Sequence, residues 1–110
     1  HVHTSSIDSL PNALIEGMSL GKPAVVSAVG AMPEHVEDGR SGMLVPPDDP
    51  AAAAAALLRL LEDRAFAARL GAAAQQRYLQ RFTPEITARA IEGHFESMIE
   101  AHKSRRVAAQ

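Results

Sequence analysis

Residues 23–28 read Pro23-Ala24-Val25-Val26-Ser27-Ala28, a short apolar run around two β-branched valines. Apolar side chains fill consecutive positions, whereas a strand with one face in water alternates apolar and polar residues. Gly21 precedes the run and Gly30 follows it, which places turn-forming residues on both sides. The pattern predicts a buried strand of a parallel sheet.

Before this run, the sequence predicts a strand followed by a helix. Residues 2–4 look extended, and residues 12–20 place apolar Leu14 and Met18 at helical spacing. Gly21, which is free to adopt a positive φ, ends the predicted helix.

After this run, the sequence predicts a loop, one helical turn and another strand. Residues 29–33 form the loop, residues 33–36 fit the turn, residues 37–42 carry turn chemistry, and residues 43–45 form an apolar strand. Strands joined by helices need crossover connections, and these produce a parallel sheet. Residues 1–47 are therefore predicted to form a βαβαβ segment.

Residues 48–110 are predicted to form three helices. The first starts at Pro50 and carries an apolar stripe of Ala54, Leu57, Leu58 and Leu61. The second spans residues 64–81, with apolar or aromatic Phe66, Leu70, Ala74, Tyr78 and Phe82 at every fourth position. Gly71 is expected to weaken this helix slightly.

The third helix is predicted to begin at Thr83-Pro84-Glu85. This sequence supplies a capping hydroxyl, a proline at the first helical position and a carboxylate near the positive end of the helix dipole. Its predicted packing face consists of Ile91, Phe95, Met98 and Ile99. Its end is expected to fray at residues 103–106, which are mostly basic.

The composition describes one small domain. The chain has 110 residues, which is within the size of one domain. It has 11 Lys and Arg against 13 Asp and Glu and a formal net charge of -2. Because no basic run is dense, a nucleic-acid partner is excluded. It has no cysteine and no apolar stretch of the roughly 20 residues that span a bilayer, so a cytoplasmic location is predicted. It opens at His1 without an initiator Met, and we expect it to be part of a longer polypeptide.

Residues 8–16, Asp-Ser-Leu-Pro-Asn-Ala-Leu-Ile-Glu, carry the chemistry of the chain. Asp8 and Glu16 bracket the turn into the first predicted helix. The N-terminus of a helix offers N–H groups without acceptors, which suit a phosphate, and carboxylates accept hydrogen bonds from sugar hydroxyls. The segment fits a diphosphate flanked by two hydroxylated rings. The alternative is that Asp8 caps the helix and Glu16 is a solvated acid.

This segment resembles the Glu-x7-Glu segment of retaining GT-B glycosyltransferases of family 4 (glycosyl transferases group 1), usually Glu-Gly-Phe-Pro-Asn-x-x-x-Glu. The pair of acids alone is a weak signal, but the resemblance extends in order along almost the whole chain. It continues through residues 21–26, 29–34 and 37–50, and covers Leu70-Gly71 and Arg81-Phe82-Thr83. The chain is similar to the carboxyl-terminal part of the donor-binding domain of that family.

The resemblance implies an α/β fold, the C-terminal half of a Rossmann-like GT-B domain in which short parallel strands with crossover helices precede three C-terminal helices. Residues 1–110 would form a single, partial nucleotide-sugar-binding domain. The implied reaction moves a sugar from a nucleoside-diphosphate sugar to an acceptor with retention of configuration, without a metal or a further cofactor. The acceptor, a glycan, a lipid or a small molecule, would bind through an N-terminal domain absent from this sequence.

The resemblance also implies roles for individual residues. Glu16 would bind the donor ribose hydroxyls, Asp8 would contact hydroxyls of the transferred sugar, and the backbone amides of residues 9–14 would meet the sugar and the diphosphate. The full donor-binding set is Asp8, Ser9, Leu10, Pro11, Asn12, Ala13, Leu14 and Glu16.

The chain departs from the family pattern near this set. Asp8 replaces the usual Glu and displaces the carboxylate by about 1.5 Å, more than the roughly 0.5 Å tolerance of a preorganised site. Ser9 and Leu10 replace the usual Gly and Phe, and Ala31 replaces a common Gly. These changes predict a different donor choice.

Other interpretations stay open at this point. The shorter Asp8 is compatible with a non-catalytic nucleotide-sugar-binding module, and the edge of the strand at residues 2–4 with an inactive fragment that self-assembles. His1 and His3 share a strand face, but two ligands do not make a metal site. The basic residues 103–106 suit anionic lipid, so a peripheral position at the inner membrane face is an alternative to a solvated helix end.

Overall fold

The computed structural model describes residues 1–4 and 12–110, in which three strands and five helices alternate and then give way to helices alone. The elements are β1 (Val2–His3), α1 (Asn12–Ser19), β2 (Val25–Ser27), α2 (Met32–His35), β3 (Met43–Val45), α3 (Pro50–Glu62), α4 (Arg64–Arg81) and α5 (Pro84–Ala108). The chain forms two compact units, residues 1–79 and residues 80–110.

The first unit is built on a three-stranded sheet in the order β1-β2-β3. Both pairs are parallel: Val2 lies opposite Val25 in one pair, and Val25 lies opposite Met43 in the other. All three residues of the central strand β2 are buried. The predictions of an α/β fold, of a parallel sheet and of a buried central run are confirmed.

Helix α1 ends at the predicted glycine. Gly21 has a φ of 67°, and the N–H of Lys22 donates to the carbonyl of Gly17 over 3.0 Å while the N–H of Gly21 donates to that of Met18. This pattern is a Schellman motif, in which a residue in the left-handed region satisfies the last carbonyls of a helix. Leu14 and Met18, which the sequence places on one helical face, are both buried.

The turn before β3 is held by side chains. The Asp38 carboxylate accepts from the N–H of Leu44, and the buried Ser41 hydroxyl accepts from the N–H of Glu37, both over 2.9 Å. Gly39 has a φ of 74°, as the turn chemistry of residues 37–42 predicts.

Helix α3 buries a different face from the one predicted. Ala53 and Ala56 pack against Val25 and Val45 of the sheet, with Leu57 and Leu60 at the margin. Of the predicted stripe, Ala54 is exposed, Leu58 is 55% exposed and Leu61 is 70% exposed. The prediction was wrong because small side chains let the helix backbone approach the sheet more closely than leucines would.

Helix α4 has the predicted bounds and buries Phe66, Leu70 and Ala74. Its N-terminus is capped by Asp63, whose carboxylate accepts from the N–H of Phe66 over 2.9 Å. Gly71 is buried as well, directly against the backbone of Gly21, so that it brings α4 onto the end of α1.

The second unit contains α5, which begins as predicted. Thr83 accepts a hydrogen bond from the N–H of Ile86 through its hydroxyl, and Pro84 is the first residue of the helix. The helix continues to Ala108, so the expected fraying at residues 103–106 was wrong. The predicted packing face, Ile91, Phe95, Met98 and Ile99, is 51–58% exposed.

Within residues 1–4 and 12–110, no helix combines the length and the apolar character that a membrane span needs.

Candidate functional site

The candidate site lies at one edge of the sheet. Because the strands are parallel, β1, β2 and β3 all end at this edge, and the segments that leave them start there. Ligands of open α/β sheets bind outside the carboxyl ends of the strands. Four of the eight predicted donor residues, Asn12, Ala13, Leu14 and Glu16, lie in α1. The other four, Asp8, Ser9, Leu10 and Pro11, precede α1 and lie outside the described residues.

The first turn of α1 presents backbone groups rather than large side chains. Asn12 and Ala13 are exposed, whereas Leu14 is completely buried, so Asn12 and Ala13 are the residues of these three that a ligand can reach. The first N–H groups of any α-helix lack acceptors within the helix and carry a partial positive charge. This turn holds no acidic residue that would compete with an anion for those groups.

Glu16 lies one turn inside α1 and is exposed. Within residues 1–4 and 12–110, its carboxylate makes no hydrogen bond and no ion pair, and its backbone carbonyl accepts from the Ser19 hydroxyl over 2.6 Å and from the N–H of Leu20 over 3.2 Å. The helix fixes the backbone of Glu16 relative to the α1 N-terminus. A solvated carboxylate beside a helix N-terminus can accept hydrogen bonds from a polyhydroxylated ligand.

The segment between β2 and α2 forms the neighbouring part of the edge. The N–H of Ala28 donates to the carbonyl of Val45 over 2.8 Å, and the N–H of Met32 donates to that of Val29 over 3.0 Å. Ala28 and Gly30 are exposed, and Gly30 has a φ of 53°. The segment thus presents its backbone beside the α1 end of the sheet.

Arg77 of α4 is a residue that the sequence analysis missed. Its Nε donates to the carbonyl of His35 over 2.8 Å, and its Nη2 donates to that of Glu34 over 2.6 Å. Its Nη1 also pairs with the Glu37 carboxylate at 2.9 Å, and the side chain is only 15% exposed. The guanidinium therefore caps the C-terminus of α2. The available signal was an arginine three residues after the buried Ala74, on the apolar face of a helix.

A cavity of about 400 Å³ opens on the α3 side of the same edge. Its polar lining is mainly hydroxyl and carboxylate, from Thr4, Ser27, Asp48 and Asp49, and Asp49 also caps α3 by accepting from the N–H of Ala52. Asn12, Ala13, Leu14 and Glu16 do not line it. Two carboxylates make it a poor site for a phosphate group.

His1, which precedes β1, forms a pair with His3 of that strand. His1 Nδ1 lies 2.9 Å from His3 Nε2, and the two rings meet edge to face. Among residues 1–4 and 12–110, no group of three or more His, Asp or Glu is placed to hold a metal ion.

Comparison with known proteins shows the family to which the chain belongs. Residues 1–63 match the family described as glycosyl transferases group 1. The chain belongs to this family. A D-inositol 3-phosphate glycosyltransferase of Streptomyces avermitilis is 37% identical over 91 residues, a match that covers 83% of this chain and 19% of the relative. The chain thus spans about a fifth of the length of that group 1 relative.

Solved structures of other proteins share the fold. A sucrose-phosphate synthase of Thermosynechococcus elongatus superposes with a TM-score of 0.86 at 33% identity, over 91% of this chain and 25% of that one. The HepE protein of Anabaena, solved in complex with UDP-glucose, superposes with a TM-score of 0.83 at 29% identity, over 87% of this chain and 27% of that one. The predicted C-terminal, Rossmann-like GT-B fold is confirmed.

Proposed function

We propose that this chain forms part of the donor site of a glycosyltransferase that transfers a sugar from a nucleoside-diphosphate sugar to an acceptor. The observation that carries the proposal is the exposed Glu16 carboxylate, one turn inside α1 at the carboxyl edge of the sheet. Membership of the group 1 family supports it, and so does the UDP-glucose complex of HepE. The chain spans about a fifth of its relative, so the acceptor and the rest of the donor would be bound by other parts of the enzyme.

The N-terminus of α1 and the residues just before it would bind the donor along the length of the donor molecule. The N–H groups of residues 9–14 would face the sugar and the diphosphate, since a helix N-terminus favours anions. Glu16 would accept hydrogen bonds from the ribose hydroxyls, and Asp8 would accept them from the transferred sugar. In this arrangement the helix and basic groups elsewhere in the enzyme stabilise the departing diphosphate, and no metal or further cofactor is needed.

Retention of the anomeric configuration is the finer part of the proposal. It is supported by the resemblance of residues 8–16 to the Glu-x7-Glu segment of family 4. The shorter Asp8 keeps the carboxylate but moves it, so we propose that the donor sugar differs from that of relatives with Glu at this position.

Product analysis with the complete enzyme tests this function. The enzyme is incubated with an acceptor and a panel of nucleoside-diphosphate sugars, and proton NMR identifies the configuration of the new glycosidic bond. We expect acceptor-dependent release of nucleoside diphosphate and a product with the configuration of the donor. A product of inverted configuration would contradict retention, and no release with any donor would contradict the function.

We also propose that the 110-residue chain self-associates when it is produced alone. In the described sheet β1 is the first strand in the order β1-β2-β3, and Val2 in it is 43% exposed. A terminal strand of a sheet can pair with another chain, and a charged side chain on it disfavours such pairing. Light scattering should show dimers or larger species that Val2→Lys converts to monomers. A wild-type chain that stays monomeric at high concentration would contradict this prediction.

A further inference from the structure

Helix α2 has four residues, and its position depends on another helix. A helix of one turn is not stable on its own, because forming the first turn fixes several backbone dihedral angles and gains only one hydrogen bond. Met32 is buried at its start, and the N–H of Val36 donates to the carbonyl of Met32 over 3.0 Å. Its C-terminal carbonyls therefore need a partner from outside the helix.

Arg77 supplies that partner from a distance of about 40 residues along the chain. Its guanidinium satisfies two successive carbonyls, those of Glu34 and His35, and the Glu37 carboxylate just beyond them. A cation at the C-terminus of a helix is also favoured by the helix dipole. Because Arg77 is mostly buried on α4, it ties α2 to a long helix that packs on the rest of the unit.

Fixing α2 also fixes the segment that enters it. Residues 28–31 leave the carboxyl end of β2, beside the strand that leads into α1. Within the described residues, this segment is held at its start by Val45 and at its end by α2 itself. A rotation of α2 would therefore move the exposed backbone of Ala28 and Gly30 at the candidate site.

We propose that Arg77 is a positioning residue of the donor site, which acts by holding residues 28–31 in the geometry that binds the nucleoside-diphosphate sugar. The inference rests on the proposed function of the chain. The Arg77 guanidinium is bonded to Glu34, His35 and Glu37, so its effect passes through α2. The planar fork of arginine matters here, since it aims N–H groups at two carbonyls and a carboxylate together. A lysine ammonium keeps the charge but lacks this fixed fork.

The test compares Arg77→Lys with Arg64→Lys in the complete enzyme. Arg64 is the exposed first residue of the same helix, so its substitution controls for the loss of an arginine from α4. For each variant we would measure the dissociation constant of UDP by calorimetry, the donor KM, kcat and the thermal midpoint. UDP is the probe because HepE is solved with it. Glu16→Ala is measured alongside.

Arg77→Lys is expected to raise the UDP dissociation constant and the donor KM about 10-fold, since small displacements of binding groups have large effects. The thermal midpoint should fall by only a few degrees, and Arg64→Lys should change neither constant. An unchanged UDP dissociation constant, with or without a lower thermal midpoint, would overturn the inference, and Arg77 would then have a structural role only. If Glu16→Ala also leaves UDP binding unchanged, the proposed function itself fails; if Glu16→Ala weakens it, only the role of Arg77 is lost.

Discussion

Gly71→Ala is expected to destabilise the first unit by about 2 kcal/mol, although alanine favours helix by up to about 1 kcal/mol over glycine. A Cβ at this position would overlap the carbonyl oxygen of Gly21 and lie 3.1 Å from its carbonyl carbon and 3.4 Å from Pro23 Cδ. The obstructing atoms are backbone atoms of the turn that ends α1, and Gly21 is held there at a φ of 67°. Neither α4 nor this turn can shift without losing the contact between them.

The matched control is Gly93→Ala in α5. Gly93 is also a helical glycine, but a Cβ added there would meet no atom of the described residues within 4 Å, apart from its own stretch of helix backbone. Only helix propensity should act at this position, so the substitution should stabilise its helix by a few tenths to about 1 kcal/mol. Thermal unfolding of both variants, followed by circular dichroism, gives the two changes. Stabilisation by Gly71→Ala of the size seen with Gly93→Ala would contradict the close contact between α4 and Gly21.

Glu16→Ala is expected to lower kcat/KM of the complete enzyme for its nucleotide sugar by about 10- to 100-fold. Hydrogen bonds to a charged group contribute about 1.5–3 kcal/mol, and 1.4 kcal/mol corresponds to a factor of ten. Most of the change should appear in the donor KM, because the ribose lies away from the bond that breaks. The described part of the chain gives Glu16 no other polar partner, so the fold should tolerate the substitution.

The control for this variant is Glu62→Ala, which removes an exposed carboxylate from the end of α3. It should leave kcat/KM and the thermal midpoint unchanged. Steady-state kinetics with the donor varied at saturating acceptor separates the two constants. Equal kinetics for Glu16→Ala and the wild type would remove Glu16 from the donor site.

The sheet could be predicted because its signals are local. The Val25-Val26 run is apolar at consecutive positions, and Gly21 marks the end of the preceding helix by its own conformational preference. Neither signal depends on residues that are distant in sequence. The bounds of α4 and the capping role of Thr83 were predictable for the same reason.

The buried face of α3 could not be predicted from periodicity alone. The alanines and leucines of residues 51–61 form two overlapping apolar faces with helical spacing. The face that includes Ala53 and Ala56 is selected by the position of Val25 and Val45, which are brought opposite it only by the folded sheet.

Of the candidate site, the position of Glu16 on α1 was predictable, and its role in donor binding stays a prediction. Glu16 lies where the helical pattern places it, one turn inside α1, but its lack of polar partners in the described part of the chain emerges only from the structure. Arg77 and Gly71 owe their roles to partners that lie far away along the chain. From the sequence of α4 alone, Arg77 is only an arginine on an apolar helix face, and Gly71 is only a residue of low helix propensity.

The most direct test is a crystal structure of the complete enzyme with its nucleoside-diphosphate sugar bound. We expect a Glu16 carboxylate oxygen within about 2.6–3.2 Å of a ribose hydroxyl, and the diphosphate against the N–H groups of residues 9–14. A nucleotide that is bound elsewhere, with no contact to residues 8–16, would contradict the assignment of the α1 end of this chain as a donor site.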